Sequence, residues 1–391
     1  MLEYLSFYGD RGLEVERASL QYVWDKNGRR YIDCHTGHVV AFLGHCNPYI
    51  VSEILEQMRF VAVASTSFKV RVRDEMINTL ARITPSHLEY VTLLNSGSEA
   101  VELALKLARK YTGRRGFTAL TRSFHGRTMG ALSVTWNPRY RRPFEPLIGG
   151  VRFIKFNDEG DVDEKINEDT AAVIIEVVQG EGGVNVMSKS FARAVEKRAR
   201  EVGALLIVDE VQTGFGRTGS VWAHEKYGLK PDIMTAGKAM GGGFPVSAVF
   251  VTREVASKIE PGDHGSTFGG NPVACAAVKA SVRVLKQHSV PEKADSRGAE
   301  LLSALKNKLK DYIIVRDVRG LGLMIGVELR IQPDTVIKCL QDNGVLALKA
   351  GATVVRLLPP YMISKDDIRV IVDAVSKCIG EANERVVEAA A

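Results

Sequence analysis

The stretch ALLIVDEVQTGFGRTG, residues 204–219, decides how the chain is read. Five apolar residues, Ala204 to Val208, run straight into Asp209 and Glu210. A run that short and continuous suits a strand buried on both faces. A carboxylate at the C-terminal end of such a strand sits at the crevice where parallel sheets bind ligands, although a metal-binding acid or a helix cap would look the same. Strand-length apolar runs recur on either side, at 90–94, 117–120, 151–156, 171–178, 232–235 and 246–251. Amphipathic stretches over 98–111 and 190–202, and from Pro272 to Gln287, alternate with them. This alternation predicts an α/β fold whose doubly wound, mostly parallel sheet is covered on both faces.

Upstream, QYVWDKNGRRYID (21–33) sets two β-prone runs around Asn27-Gly28, a dipeptide that accepts the positive φ values of a tight hairpin. Asn47-Pro48 reads as the N-cap and first residue of a helix. Beyond 290 the pattern becomes a smaller α+β unit, with helices over 296–310, 334–342 and from 365, and strands over 313–318, 324–329, 345–348 and 353–358. The expected organisation is a large domain over 51–290 and a small domain built from 1–50 and 291–391.

With 391 residues the chain can bury a sizeable core, and 45% hydrophobic with 25% charged residues is ordinary globular composition. A formal net charge of +6 is too small to mark a nucleic-acid binder. The opening MLEYLSFYGDRG has acids and no apolar run, so no signal peptide is expected, and no apolar stretch is long enough to span a membrane. The five cysteines show neither CxxC nor zinc-finger spacing, so no metal site is expected. They read as reduced, mostly buried thiols in a cytoplasmic protein.

Four features carry chemistry. Asn95-Ser96-Gly97-Ser98-Glu99 stands between a strand and a helix. Open N–H groups there make an anion site, although a simple cap has the same sequence. Asp209 supplies a carboxylate. In TAGKAMGGGFP (235–245), Lys238 lies among small residues that leave room over its amine, and its place before the glycines excludes a nucleotide P-loop. Ser123-Phe124-His125-Gly126-Arg127 puts an aromatic, an imidazole and a guanidinium on one turn, with His125 open to either a packing or a catalytic role. An anion cradle, an aromatic plate, a carboxylate and an amine are together what pyridoxal phosphate requires.

With these residues the chain resembles the class III aminotransferases, pyridoxal-phosphate enzymes of fold-type I, over almost its whole length. The match runs from Tyr22-Val23-Trp24-Asp25 and Leu43-Gly44-His45 through NSGSEAVELALKLAR and EVVQGEGG to LLIVDEVQTGFGRTG. It continues through PDIMTAGKAMGGGFP, HGSTFGGNPVACAA and VRGLGLMIGVEL, with Lys238 lying 29 positions after Asp209. The resemblance implies that Lys238 bonds the cofactor's aldehyde and that Asp209 pairs with its ring nitrogen. It puts Gln212 near the phenolic oxygen, Gly97 and Ser98 at the phosphate, and Phe124 on the ring. Thr267 would reach the phosphate of the neighbouring subunit's cofactor, which implies a homodimer with shared active sites, and Ser266 would sit near substrate. Arg127 resembles the carboxylate-binding arginine of the acetylornithine and ornithine branches. Arg356 matches the arginine for the α-carboxylate of glutamate, and Glu181 the acid that covers it in the other half-reaction.

FYGDRGL (7–13), FLGHCNP (42–48), STSF (65–68) and KAGATVVRLLPPY (349–361) are most similar to archaeal-type enzymes of lysine and arginine synthesis. These transaminate, between glutamate and 2-oxoglutarate, an aminoadipate or glutamate semialdehyde attached to an acidic carrier protein, LysW. Acetylornithine or succinyldiaminopimelate aminotransferase is the alternative. A non-catalytic regulator, a racemase and an aminomutase fit the fold too, but the first needs a DNA-reading module, and Arg356 with Glu181 favours transamination over the others. Basic clusters at Arg114-Arg115, at Arg139, Arg141 and Arg142, and over 189–200 are either docking points for the carrier or solvated faces.

Overall fold

The computed structural model describes residues 2–390. The chain opens with strands Val15–Ser19 (β1), Tyr22–Asp25 (β2) and Arg30–Asp33 (β3). Tyr90–Leu94 (β4), Gly116–Leu120 (β5), Val151–Ile154 (β6) and Thr170–Ile175 (β7) follow. A short ribbon, Val178–Gln179 (β8) and Asn185–Val186 (β9), precedes Leu205–Asp209 (β10), Ile233–Ala236 (β11) and Ser247–Val251 (β12). The last strands are Val315–Leu321 (β13), Met324–Leu329 (β14), Val345–Leu346 (β15), Leu348–Ala350 (β16) and Val354–Leu357 (β17).

The central sheet has the order β4-β12-β11-β10-β7-β5-β6. It is parallel from β11 to β6, but β12 runs antiparallel to both β11 and β4. The sheet is therefore mostly parallel, as expected, with β12 as its one reversed strand. A parallel return needs a crossover of roughly a dozen residues or more, usually helical, and the link from Ala236 to Ser247 is too short for one. Alternate residues of β10 serve opposite layers. Leu205 and Ile207 pack with the helix Gly97–Thr112, and Leu206 and Val208 with the helix Lys189–Val202. Gly113 and Gly203, both at positive φ, end these helices.

The hairpin at Asn27-Gly28 forms as read, and Asn47 caps the helix Pro48–Met58 by accepting from Tyr49 N. β15 pairs in parallel with β3, which ties the chain's opening strands to its C-terminal part. The sheet β13-β14-β17-β16 packs against the helix Val290–Leu309, and the helix Lys365–Ala390 packs in turn against that helix. The first of these helices begins six residues before the expected 296, with Pro291 in its opening turn. The helix Arg71–Leu80, which buries Val72, Met76 and Leu80, escaped the sequence reading because charged residues crowd its apolar spacing.

One expectation fails. Cys339 and Cys378 form a disulfide with Cα atoms 5.7 Å apart, joining the helix Asp334–Asp342 to the C-terminal helix. The pairing spans 39 residues of sequence, so local cysteine spacing carries no sign of it. Cys34 and Cys275 are free and buried, and Cys46 is free and exposed. Among the described residues no helix is long and apolar enough to cross a membrane.

Candidate active site

The candidate residues gather where β5, β7, β10 and β11 end, four neighbouring parallel strands. β10 terminates in Asp209, buried at 5% exposure. Its Oδ2 lies 2.7 Å from His125 Nδ1, and its Oδ1 accepts from Thr235 Oγ1 at 3.0 Å and Val211 N at 3.0 Å. Thr235 is at hand because β10 and β11 place it directly opposite Asp209. Three of the carboxylate's roughly four acceptor positions are thus used, and one remains.

Lys238 follows β11 with φ at +47°, in the left-handed region that β-carbon-bearing residues avoid. Strain of this kind collects at functional sites. Lys238 retains some accessible surface, yet its ammonium is enclosed by protein. Burial lowers its pKa; Glu181, Asp209 and Glu176 oppose the shift and Arg356 assists it, all through space and without a hydrogen bond.

Ser96 caps the helix Gly97–Thr112 in a reciprocal box, accepting from Glu99 N while Glu99 Oε2 accepts from Ser96 N at 2.8 Å. That box leaves the N–H groups of Gly97 and Ser98 as the open donors of the first turn. Gly97 presses against the turn after Asp209, where a β-carbon would come 2.7 Å from Val211 Cγ1. Ser98 Oγ accepts from Arg127 N at 3.2 Å and so fastens the helix start to the Phe124–Arg127 turn. Phe124 meets Tyr140 edge-on at 6.1 Å, and the Arg127 guanidinium sits over Tyr140 at 3.8 Å.

Arg356, on β17, is 1% exposed. It donates from Nη2 to Glu181 Oε1 at 2.7 Å and from Nη1 to Gln212 Oε1 at 3.2 Å, while Nε has no partner. Burial pushes the Glu181 carboxyl up, but Arg356 and Lys238 outweigh it and hold the group below its usual range. The Glu181 loop can lie this close only because Gly180 precedes it, since a β-carbon there would overlap Gln212 Oε1 at 1.6 Å. Ser266 Oγ accepts from Asn95 Nδ2 at 3.3 Å, beside the same helix start, whereas Thr267 is exposed. The structure thus brings Asp209, Lys238, Glu181, Arg356 and Gln212 together, and sets Gly97, Ser98, Phe124, Arg127 and Ser266 along one side.

Sequence reading missed two contributors. Glu176 is a buried carboxylate just past β7, and its Oε2 accepts from Phe124 N at 3.0 Å. The residues Thr36, Gly37, His38 and Val39 all carry positive φ, and His38 feels the charges of Glu181, Arg356 and Lys238. Gly37 was the only local hint. His125, left open between two roles, holds the acid at the centre of the site.

The basic clusters divide. On the helix Lys189–Val202, Arg200 pairs with Asp232 at 2.6 Å, Arg198 with Asp163 and Glu201, and Lys197 with Glu201, so that face is largely self-neutralised. Arg114 donates to the carbonyls of Thr170 and Val202. Arg139 and Arg142 are exposed at either end of the segment whose Tyr140 carries Arg127.

A family model described as aminotransferase class-III matches residues 8–379. The LysW-aminoadipate semialdehyde/glutamate semialdehyde transaminase of Sulfurisphaera tokodaii is 51% identical over 384 residues, 98% of this chain and 99% of that one. The acetylornithine aminotransferase of Archaeoglobus fulgidus is 42% identical over 364 residues, 93% and 95% of the two chains. Among solved structures, the ornithine aminotransferase of Toxoplasma gondii ME49 superimposes with a TM-score of 0.93 at 31% identity, covering 97% of this chain and 93% of that one. An omega-transaminase from Thermomicrobium roseum gives 0.90 at 30% identity, with 94% and 92% covered.

Proposed function

The chain belongs to the class-III aminotransferases and is a pyridoxal-phosphate-dependent transaminase, and on that premise we propose that it serves lysine or arginine synthesis. In this reading the amino group passes between glutamate or 2-oxoglutarate and the ω-semialdehyde of a LysW-linked aminoadipate or glutamate. The observation that carries it is the Arg356–Glu181 pair beside the enclosed Lys238 amine. One guanidinium, covered or uncovered by a neighbouring acid, lets a single pocket receive an α-amino dicarboxylate in one half-reaction and an ω-aldehyde in the other. The name of the 51% identical relative supports the carrier-linked acceptor over the acetylated one, which the 42% identical relatives carry in theirs.

The residues suit the cofactor: an amine without a hydrogen-bond partner, a carboxylate with one acceptor position left, and a helix start with two open donors. When bound, pyridoxal phosphate supplies an electron-withdrawing ring that carries the amino group between the two substrates. We assign its phosphate to Gly97 and Ser98, its ring face to Phe124, its ring nitrogen to Asp209 and its phenolic oxygen to the Gln212 amide. The Asp209 carboxylate, fixed by three donors, would favour a protonated ring nitrogen. The Lys238 amine, its pKa lowered by burial, gives and takes the proton that moves at the substrate carbon. Arg356 grips the glutamate α-carboxylate bidentately once Glu181 moves aside, a geometry lysine cannot reproduce. Arg127 and Ser266 face the acceptor.

A homodimer is part of the proposal. Leu55, Met58, Phe60, Val63 and Phe68 are exposed within one short segment, a patch that a second copy would cover. Thr267 is then free to reach the neighbouring subunit's cofactor phosphate. The domain division at 50 and 290 and a cytoplasmic location complete the reading. Rates on carrier-linked and acetylated semialdehydes, measured side by side, test it. The carrier-linked aldehyde should have the higher kcat/KM, and preference for the acetylated one would assign the chain to the acetylornithine branch.

A further inference from the structure

The ends of two adjacent strands and the turn after a third bring ionisable groups to one point. β10 ends in Asp209, and the register of β10 with β7 pairs Val208 with Ile175, which makes Glu176 the next residue opposite Asp209. Two carboxylates on neighbouring strands thus leave the sheet side by side. The turn after β5 brings His125 against them, its ring fully buried, with Nδ1 on Asp209 and Nε2 without a partner. Glu176 Oε2 accepts from Phe124 N, one residue before His125 in the same turn.

We propose that Glu176 is a positioning residue for the transamination, holding the Phe124 plate through its backbone N–H and setting the charge of the imidazole on which Asp209 rests. The proposal deepens the functional reading and depends on its roles for Asp209 and Phe124.

The electrostatics have a definite sense. Burial pushes the Glu176 carboxyl up, and the neighbouring Asp209 adds to the shift, while His125, the Phe124 N–H and Lys238 pull it down; the balance stands at about 7. Burial works against a cation on His125, but the Asp209 hydrogen bond and the charges of Asp209 and Glu176 prevail and raise its pKa. The charged groups facing Glu176 are therefore Asp209, His125 and Lys238. Ionised Glu176 is the second negative charge that favours the imidazolium, and as pH falls through about 7 it becomes neutral and that support is lost. The site thus has a proton store that never touches substrate and that alters the charge behind Asp209 within the working range of pH.

Glu176→Gln keeps an oxygen to accept from Phe124 N and removes the titrating charge. In holoenzyme selectively labelled with 15N-histidine, the His125 imidazole should titrate about one unit lower than in wild type. The alkaline midpoint of the bound cofactor's visible absorbance should move in the same direction. With glutamate, kcat should fall several-fold at pH 8 while KM, governed by Arg356, stays near wild type. In a His125→Asn background the absorbance shift should vanish, since the intermediary is gone. Superimposable His125 titrations and absorbance profiles in wild type and Glu176→Gln overturn the proposal, as does a shift that persists without His125. If wild type itself shows no absorbance change with glutamate, the functional reading fails, and that outcome is distinct from failure of the role of Glu176 alone. Should Glu176→Gln fold poorly, Glu176→Asp keeps the charge and must keep the wild-type titration, and loss of it there overturns the proposal equally.

Discussion

Asp209 and Glu210 are consecutive, and each is joined to a buried histidine, yet the two pairs differ in every respect that matters for chemistry. Glu210 accepts from His224 N at 2.8 Å, from His224 Nδ1 at 2.9 Å and from Thr213 Oγ1, and neither residue has an orphaned atom. Asp209 keeps an acceptor position, its partner His125 keeps an unpaired Nε2, and a second carboxylate and an enclosed lysine lie close by. A satisfied pair fixes structure; a pair with unspent valences and crowded charges is poised to act on something else.

The sharpest break between the pairs is at Lys238, whose amine feels the charge of Asp209 and not that of Glu210. Lys238→Ala should cut turnover by about 10³-fold or more, because the proton carrier is lost, while far-UV circular dichroism stays that of wild type. Substantial activity in that variant would sink the assignment of the site. A crossed experiment on the acids comes next. Glu210→Ala should cost about 3–5 kcal/mol of stability, since it strands a buried partner, yet leave cofactor absorbance intact in the molecules that fold. Asp209→Ala strands His125 in the same way and should cost comparable stability, but it should also lower kcat by about 10²-fold in the molecules that fold. If the two variants exchange these outcomes, the contrast between the pairs is wrong.

The Cys339–Cys378 bridge extends the structural side of the contrast to the far end of the chain. Closing a loop of 39 residues is worth about 4 kcal/mol in the chain-entropy model. Cys378→Ser should therefore lower the denaturant midpoint markedly while kcat/KM for glutamate stays unchanged; a loss of activity without a loss of stability would place the bridge in the functional machinery. On the functional side, Arg356→Ala should reduce kcat/KM for glutamate by about a hundredfold, the worth of a lost charge-assisted hydrogen bond, and spare the half-reaction with the ω-aldehyde. Equal losses in both half-reactions would mean that Arg356 only holds Glu181 and Gln212 in place.

Most of this frame is legible in the sequence because it depends on local pattern. Val208 to Glu210 mark a strand end, Asn47-Pro48 and Asn27-Gly28 mark a cap and a turn, and the lysine among small residues marks an enclosed amine. What escaped depends on contacts between segments far apart in sequence. Glu176 closes an apolar run much as Asp209 does, but nothing local says that β7 lies beside β10 in a register that faces the two acids. The reversal of β12 was implicit in a short link, whereas the disulfide joins helices whose proximity no spacing reveals. His125 stayed undecided for the same reason, since its partner lies 84 residues away.

The smallest effect concerns docking, and it divides the basic residues as the two histidine pairs divide the acids. The cations at 197–200 already spend their charge on Asp232, Asp163 and Glu201. Arg139 and Arg142 are exposed beside the Tyr140 that Arg127 covers. An acidic carrier would meet those two first, and rim charges act mainly on the rate of encounter. Arg139→Ala with Arg142→Ala should therefore lower kcat/KM for the carrier-linked aldehyde about threefold at low salt, with the difference fading near 0.5 M salt. A small acetylated aldehyde should not notice the change. Charge reversal at Lys197 and Arg198 should have no such effect on the carrier, and an equal or larger one there would move the docking face to the helix that now looks self-sufficient.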